Sequence, residues 1–479
     1  MRDVRPVAAY RASNSGTSVM LAIALFAIGA AACGTDTPNP TDPITWGKNR
    51  PADAAVENEN TIIVNNTAEL VTALVPENAG RHIRVRAGDY SLTQPLAVPD
   101  QVTLEGEGVM LFDGAGLATG FAVNTRTTLI MTTNTPGDIL SLGNGVTVRG
   151  IAIEDLAGRV GNSIGVVSRG AGDQVFATIA EVEVVNPNTH TIAPSGPAGC
   201  GVAVLTLNPN LGSDPPPHSG AAVSSMITGS LIRSNATGTA CGLFAFNFAP
   251  SARVSVALSG NVVVGGIIVS GGVSRPDAVH DSRTEIRSQR NLYRNDSPNA
   301  CVPQRLGWNA QGGSGTPVPL PVSGTERNQL RIHSLDDRIE GFTTAVQAIG
   351  GRRFFAAPIA GPSTDNSVDL QLIGTTIATP TCGGASFVAD FRLAGALVSG
   401  ATLVPGDGNT VRAVMRGVTG SGSRSNVYAD VLGPAGPVLP AFQGTGNRLE
   451  ITGNLQAFTQ TNRAIDPAPG PEFFTSDGK

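Results

Sequence analysis

The most charged stretch of this 479-residue chain is residues 275–287, with the sequence RPDAVHDSRTEIR. In an extended strand, alternate side chains project from one face. The residues that would share such a face, with alternating charge, are Asp281, Arg283, Glu285 and Arg287. Asp281 and Glu285 could act as metal ligands or as acid and base, with His280 as proton carrier. Arg283 could clamp a substrate carboxylate through two hydrogen bonds. The competing interpretation is a solvated outer face whose charges neutralise each other.

A second polar cluster lies in residues 331–341, RIHSLDDRIEG. Asp336, Asp337 and His333 would stand together there as candidate acid, base or ligand groups. A turn that uses aspartates for its backbone conformation explains the same residues without chemistry. The elements that carry both clusters decide between these interpretations.

Composition excludes several classes of protein. Hydrophobic residues make up 41% of the chain, charged residues 14%, and there are 59 glycines and 33 prolines. These values argue against a coiled coil, a helical bundle and a disordered chain. The net charge of -5 provides no basic patch, so no nucleic-acid partner is expected.

The N-terminus has the pattern of an export signal. Three arginines precede an uncharged apolar run from Val19 to Ala32, directly before Cys33. The run is shorter than the roughly 20 residues of a membrane-spanning helix, so we expect residues 1–32 to be removed. Residues 33–60 are rich in Pro, Thr, Asp and Asn, which predicts a flexible tether.

Ala31, Ala32 and Cys33 resemble the lipobox of bacterial lipoproteins, although Ala30 stands where leucine is usual. The resemblance implies that the Cys33 thiol carries a diacylglyceryl group and holds the exported protein at a membrane, in the outer membrane or at the cell surface. Acyl chains in pairs give stable anchoring. The alternative is ordinary signal-peptidase cleavage at the same small residues.

The remaining cysteines form an even set, which fits an oxidising compartment. They are Cys200, Cys241, Cys301 and Cys382, and sequence leaves their three possible pairings open. None has CxxC spacing, so no metal site is predicted from them.

The body contains one helix signal and many strand signals. Thr67 could cap a short helix through residues 68–74, and Pro76 would stop it. Short alternating segments follow, and Gly-Asn pairs often precede them; both residue types suit tight corners between sheets. The pairs begin at Gly143, Gly161, Gly260, Gly408, Gly446 and Gly453. The 44 residues from Val102 to Val146 predict two coils of about 22. Stacked Asn144 and Asn261 would form amide ladders.

Residues 67–108 resemble the N-terminal entry of right-handed parallel β-helix proteins of the pectate-lyase-like group. A short helix, a strand over residues 82–86, a Gly-Asp-Tyr turn beginning at Gly88 and a Val-x-Leu-x-Gly strand carry the resemblance. It implies an all-β, right-handed parallel β-helix solenoid with a short N-terminal capping helix. We assign residues 61–465 to this solenoid and 466–479 to a C-terminal tail. A β-sandwich or barrel would need more hairpin turns.

The resemblance leaves two functions open. Enzymes of that group cleave polysaccharides by β-elimination, with calcium and a base, or by hydrolysis with paired carboxylates. Of the polygalacturonase motifs, only Asp336-Asp337 is present. The first hypothesis is therefore a non-catalytic binding or envelope-structural protein, with polysaccharide as a possible partner and no cofactor. The alternative is a polysaccharide lyase or glycoside hydrolase acting on an acidic glycan, with Ca²⁺ only if it is a lyase.

Overall fold

The computed structural model describes most of the body. The described residues are 60–155, 161–186, 200–206, 218–234, 241–274, 278–296, 306–315, 324–353, 361–382, 386–394, 397–399, 402–404, 406–429, 445–454, 459–464 and 472–477. The predicted export signal, Cys33, residues 33–59 of the predicted tether and Cys301 lie outside them.

Strand is the main secondary structure of the described chain. Helix α1 (Thr67–Ala73) is followed by a single 3₁₀ turn, Pro76–Asn78. The first twenty strands are β1 (Thr61–Val64), β2 (His82–Val85), β3 (Gly88–Leu92), β4 (Leu96–Val98), β5 (Thr103–Gly106), β6 (Met110–Phe112), β7 (Ala118–Phe121), β8 (Thr127–Met131), β9 (Leu140–Leu142), β10 (Val146–Arg149), β11 (Ala152–Asp155), β12 (Ile164–Val167), β13 (Gln174–Ala180), β14 (Glu183–Asn186), β15 (Val202–Leu205), β16 (Ala222–Thr228), β17 (Leu231–Ser234), β18 (Leu243–Phe246), β19 (Arg253–Ser259) and β20 (Val262–Val264).

The remaining strands are also short and follow one another closely along the chain. They are β21 (Ile267–Ser274), β22 (Val279–His280), β23 (Arg283–Gln289), β24 (Leu292–Arg294), β25 (Leu306–Gly315), β26 (Thr325–Glu326), β27 (Gln329–Leu335), β28 (Arg338–Glu340), β29 (Thr344–Arg353), β30 (Ser363–Thr364), β31 (Ser367–Ile373), β32 (Thr376–Ala378), β33 (Phe387–Ala394), β34 (Leu397–Ser399), β35 (Thr402–Val404), β36 (Thr410–Arg416), β37 (Thr419–Ser421), β38 (Ser423–Ala429), β39 (Arg448–Gly453), β40 (Thr459–Ala464) and β41 (Glu472–Asp477).

Three long parallel sheets run the length of the body, which confirms an all-β parallel β-helix solenoid. Sheet A has 13 strands, in the order β1-β2-β5-β10-β13-β16-β19-β23-β27-β31-β36-β39-β41. Sheet B has 10 strands, from β3 to β37, and sheet C has 11, from β4 to β40. From β2 to β38, each coil contributes one strand to each sheet. Because β41 is the last strand of sheet A, this sheet extends into the segment predicted as a tail.

The prediction of two 22-residue coils between Val102 and Val146 is wrong. Thr103 of β5 pairs directly with Thr147 of β10, so this is a single coil. Its extra length is an antiparallel hairpin, β6 with β7. The hairpin packs Met110, Leu117 and Phe121 against an apolar strip on the outer surface of sheet B.

The core lies inside the coils, where aliphatic side chains of successive strands stack on one another. In sheet A, Val256, Ile286, Ile332 and Leu370 occupy one column of paired positions and are all buried. Alternate residues of the same strands face outward, so each strand has an apolar and a polar side. The outward side of sheet A is consequently a surface of regularly spaced side chains.

Helix α1 closes the first coil, as predicted, but Thr67 is not its cap. Asn66 is the N-cap, and its side chain accepts a hydrogen bond of 3.0 Å from the Glu69 backbone N–H. The Glu69 carboxylate accepts a hydrogen bond from the backbone N–H of Asn65, which satisfies a further donor. Leu70 and Ala73 pack into the core.

Two ladders of buried polar side chains hold the corners. One ladder lies at the corner before the strands of sheet A and consists of Asn328, Asn366, Asn409 and Asn447. The backbone N–H of each of the first three donates to the side-chain oxygen of the asparagine on the next coil. After sheet A, Asn261, Asn291 and Asp337 form the second. The Gly-Asn pairs at residues 260, 408 and 446 thus supply a corner glycine with positive φ and then a ladder asparagine. Asn261 belongs to a ladder, as predicted, whereas the prediction is wrong for Asn144, which lies on an exposed turn.

Candidate functional site

Asp281 occupies a corner of the solenoid rather than the face of a strand. Its φ is 56°, and Arg327 and Asp365 have the same left-handed conformation on the next two coils. Aspartate is one of the residues that tolerates this conformation. The Arg327 guanidinium donates two hydrogen bonds, of 2.7 and 2.9 Å, to the two carboxylate oxygens of Asp281, and His280 contacts the same carboxylate at 2.8 Å. These contacts hold the pKa of Asp281 well below its usual range.

Glu285 lies on the outer face of sheet A between two arginines, as the alternation predicted. Arg283 and Arg287 reach it at 2.9 and 2.7 Å. Partial burial raises the pKa of Glu285, but the hydrogen bonds and charges of the two arginines outweigh burial, so the pKa is lowered. Glu285 is therefore an ion-paired carboxylate and a weak proton acceptor.

Asp336 and Asp337 also occupy a corner, at the opposite end of strand β27 from Arg327. Asp336 is exposed and has a φ of 54°. Asp337 is fully buried and ends the second ladder, because its Oδ1 accepts from the Asn291 backbone N–H at 2.8 Å and its Oδ2 from the Ser334 hydroxyl at 2.6 Å. Burial raises the pKa of Asp337 despite these bonds.

The sequence candidates therefore do not converge on one centre. His280 and Asp281 lie before the strands of sheet A, and Asp336 and Asp337 lie after them. A seven-residue strand separates these corners by about 20 Å, at about 3.3 Å per residue. Of the candidates, Arg283, Glu285 and His333 lie on the strands of sheet A between the corners.

We expect Asp337→Asn to remove a pH dependence of stability. Because the folded pKa of Asp337 is raised, the folded chain binds its proton more tightly, so stability falls as pH rises from the unfolded pKa, near 3.8, through the folded pKa. An asparagine keeps the oxygen that accepts from Asn291 and carries no charge. Chemical unfolding at pH 4 and pH 7 measures this dependence. The free energy of unfolding should decrease less from pH 4 to pH 7 in the variant than in the wild type.

Asp336→Asn is the matched control for this measurement, since Asp336 is adjacent but exposed. It should retain the pH dependence of the wild type. If Asp337→Asn leaves the pH dependence of stability unchanged, protonation of the buried carboxylate is not linked to folding, which would contradict the prediction.

The outer face of sheet A carries a shallow groove of about 400 Å³ across strands β16, β19, β23, β27 and β31. Its floor includes the small side chains Ala257 and Ser259. Arg287 and His333, on neighbouring strands, supply the basic side chains of its lining. None of its lining residues is acidic. The groove offers small, apolar and basic contacts rather than a pair of carboxylates.

The groove lies where the outer face of sheet A changes in charge. Strands β13 and β16 present neutral side chains, including the exposed Phe176 and Met226. From β23 to β39, the outward positions contain six arginines and three acids. These are Arg283, Arg287, Arg331, Arg412, Arg416 and Arg448, with Glu285, Asp369 and Glu450. The described outer face of these strands therefore has an excess of positive charge.

The acids of this face alternate with arginines along one column of the sheet. Glu285, Arg331, Asp369, Arg412 and Glu450 occupy directly paired positions on five successive strands. Opposite charges at paired positions stabilise neighbouring strands. This column neutralises most of its own charge, so the positive excess comes from arginines in the columns beside it.

Sequence reasoning did not find the groove. The sequence predicts His333 beside the aspartates that follow it, whereas the structure places it beside Arg287, to which it is directly paired. The two residues are 46 positions apart. The usable signal was the alternation of RTEIRSQ and QLRIHSL, which puts both residues at the same position in successive strands.

Neither a helix that could span a bilayer nor a metal-binding cluster is present among the described residues. No helix among them is long and apolar enough to span a bilayer. No group of three or more His, Cys, Asp or Glu side chains in the same ranges is arranged to hold a metal ion. In comparisons with known proteins, the chain matches no family model and no curated sequence.

Proposed function

We propose that the solenoid is a non-catalytic binding protein whose sheet A outer face takes up an extended acidic polysaccharide. We further propose that lipid on Cys33 anchors it at the outer membrane or cell surface, with residues 33–60 as the tether. The observation that carries the binding function is the groove of sheet A, which combines Arg287 and His333 with a non-acidic lining.

The geometry of the face supports an extended ligand. Its side chains repeat along the solenoid at the strand spacing of about 4.8 Å, and each coil adds another set of contacts. Arginines beside the groove can pair with carboxylates of the ligand, since guanidinium geometry matches a carboxylate. Apolar side chains such as Met226 and Leu335 can contact the less polar faces of sugar rings.

The ion pairing and burial of the carboxylates favour a binding function over hydrolysis. Asp281 and Glu285 are each held by arginine, and Asp337 is buried in a ladder. A hydrolase needs one carboxylic acid and one carboxylate on opposite sides of the scissile bond. The candidate residues from the sequence do not supply that arrangement.

A polysaccharide lyase is the alternative function, and the pairing of Arg287 with His333 in the groove favours it. A basic side chain in the groove could remove the proton next to a uronate carboxylate. A lyase of this kind would also use Ca²⁺ to bind the substrate carboxylate. The two functions differ in one measurable outcome: a binding protein leaves the polysaccharide intact, whereas a lyase cleaves it.

We expect Arg287→Gln to weaken binding of polygalacturonate or alginate about fivefold. This factor corresponds to about 1 kcal/mol, which is typical for the loss of one exposed charge contact. Added salt should weaken wild-type binding as well. Affinity electrophoresis or calorimetry measures both effects. Arg338→Gln is the matched control, because Arg338 is also an exposed strand arginine paired with a glutamate two residues away, but on sheet B.

An equal effect of the two substitutions would place the binding surface elsewhere. Failure of every acidic polysaccharide to bind the wild-type protein would favour an envelope-structural role. Dextran, a neutral polysaccharide, serves as the ligand control.

The lipid anchor makes a separate prediction. Cys33→Ser should move the exported protein from the membrane fraction to the soluble fraction, because it removes the thiol that would carry the lipid. Cell fractionation and fatty-acid labelling measure this. Unlabelled wild-type protein would support ordinary signal-peptidase cleavage instead.

A further inference from the structure

The groove on the outer face of sheet A is basic only in its central part. Two columns of directly paired residues run along it, from strand β16 to strand β31. In the first column, Met226 and Ala257 precede Arg287 and His333, and Gln371 follows them. The basic side chains of the lining therefore occupy two neighbouring strands, β23 and β27.

The second column brings no charged side chain into the groove. Its members are Thr228, Ser259, Gln289, Leu335 and Ile373. Leu335 and Ile373 are 39% and 40% exposed, and Met226, at the β16 end of the groove, is 41% exposed. Accessible apolar side chains therefore lie on both sides of the basic pair.

The charge of Arg287 is already partly balanced. The carboxylate of Glu285 contacts its guanidinium at 2.7 Å. A guanidinium has several N–H donors, so Arg287 can still hydrogen-bond a carboxylate of a ligand. Together with His333, it can compensate a short acidic stretch of a polymer but not a long one.

The groove is longer than its basic part. Neighbouring strands lie about 4.8 Å apart, so the groove spans about 19 Å from β16 to β31. A polysaccharide that fills it also contacts Met226, Ala257 and Ile373. An ionised carboxylate at these positions would lose water without gaining a cation, which is unfavourable.

Uncharged sugar residues fit the two ends of the groove better. The less polar face of a sugar ring can pack on Met226 at one end and on Ile373 at the other. Its hydroxyls can exchange hydrogen bonds with the side-chain amides of Gln289 and Gln371, which carry both donors and acceptors. The lining thus combines a basic centre with neutral flanks.

We propose that the groove selects an acidic polysaccharide of low charge density, in which a short acidic stretch is flanked by uncharged sugar residues. The selection rests on the proposed binding function and narrows its ligand class. A partly methyl-esterified polyuronate is a polymer of this kind, because each ester removes one negative charge.

Polymers that differ only in esterification test the proposal. One polygalacturonate preparation is left free, methyl-esterified at about half of its carboxyls or esterified almost completely, and calorimetry measures the binding of each to the exported chain. At an ionic strength of about 0.15 M, long-range attraction to the other arginines is largely screened. The half-esterified polymer should then bind about fivefold more tightly than polygalacturonate. The almost fully esterified polymer should bind more weakly than the half-esterified one, because it offers Arg287 almost no carboxylate.

A lysine at the apolar end of the groove should remove this preference. Met226→Lys adds a cation there, so polygalacturonate should bind more tightly and match the half-esterified polymer. Leu111→Lys is the matched control, since Leu111 is 49% exposed but lies on the β6–β7 hairpin that packs on sheet B. It adds the same charge away from the groove and should leave the preference unchanged. Because both side chains are exposed, neither substitution disturbs the core.

The proposal is overturned if polygalacturonate binds the wild-type protein as tightly as the half-esterified polymer or more tightly. It is also overturned if the two lysine variants change the preference equally. In both cases the binding of acidic polysaccharide by this protein stands. That function fails, and the preference with it, if none of the three polymers binds or if the almost fully esterified polymer binds as tightly as the half-esterified one.

Discussion

Asn366→Ala should destabilise the solenoid by about 3–5 kcal/mol, the sum expected for several broken buried hydrogen bonds. Asn366 Oδ1 accepts bonds of 3.2 and 3.0 Å from the backbone and side chain of Asn328. Its Nδ2 donates to the Thr325 carbonyl and to Asn409. Alanine would leave these buried groups unpaired and interrupt the ladder in the middle of the body. Chemical unfolding measures the loss.

Asn144→Ala is the control for this prediction. Asn144 lies on an exposed turn, where its side chain accepts one bond from the Phe176 backbone N–H. Its loss should cost about 1 kcal/mol or less, because water can replace the partner. Equal costs for the two substitutions would contradict the role assigned to the buried ladder.

Replacing both Cys200 and Cys241 with alanine should lower stability by about 4 kcal/mol in the chain-entropy account of disulfides. The two cysteines are bonded to each other, 41 residues apart, on neighbouring coils. They pack with Phe244, Phe246 and other buried side chains beside sheet C. The thermal unfolding midpoint of the double variant should fall accordingly.

Thiol mapping provides the control for the disulfide. Alkylation of the native, unreduced protein should leave Cys200 and Cys241 unmodified, and they should be recovered in one linked peptide. Cys382 is also disulfide-bonded, so it should remain protected in the double variant. Free Cys200 and Cys241 thiols in the native protein would contradict the pairing.

The fold could be predicted because its main determinants are local. Alternating short strands, corner glycines such as Gly260 and the capping segment near Leu70 each need only a few neighbouring residues. Coil length was harder, because insertions such as the β6–β7 hairpin change the spacing without changing the strands. In the parallel sheets, sequence separations between paired positions range from 21, for His82 with Thr103, to 48, for Gln174 with Ala222.

The candidate site depended on features that local pattern does not determine. Asp281 and Asp336 looked like catalytic carboxylates because sequence shows residue type but not left-handed backbone conformation. Asp337 occupies a ladder position that asparagine fills on the preceding coil. The groove requires the register that places His333 beside Arg287, and that register follows from coil lengths.

The central claim is that the outer face of sheet A binds an acidic polysaccharide without cleaving it. The most direct test incubates the wild-type protein with polygalacturonate and with alginate, with and without Ca²⁺, and measures bound polysaccharide, unsaturated uronate absorbance and reducing ends in the same samples. We predict binding to at least one of the two polymers, with both product signals remaining at the level of a protein-free control. A steady increase in unsaturated uronate or reducing ends would contradict the claim and identify the protein as an enzyme.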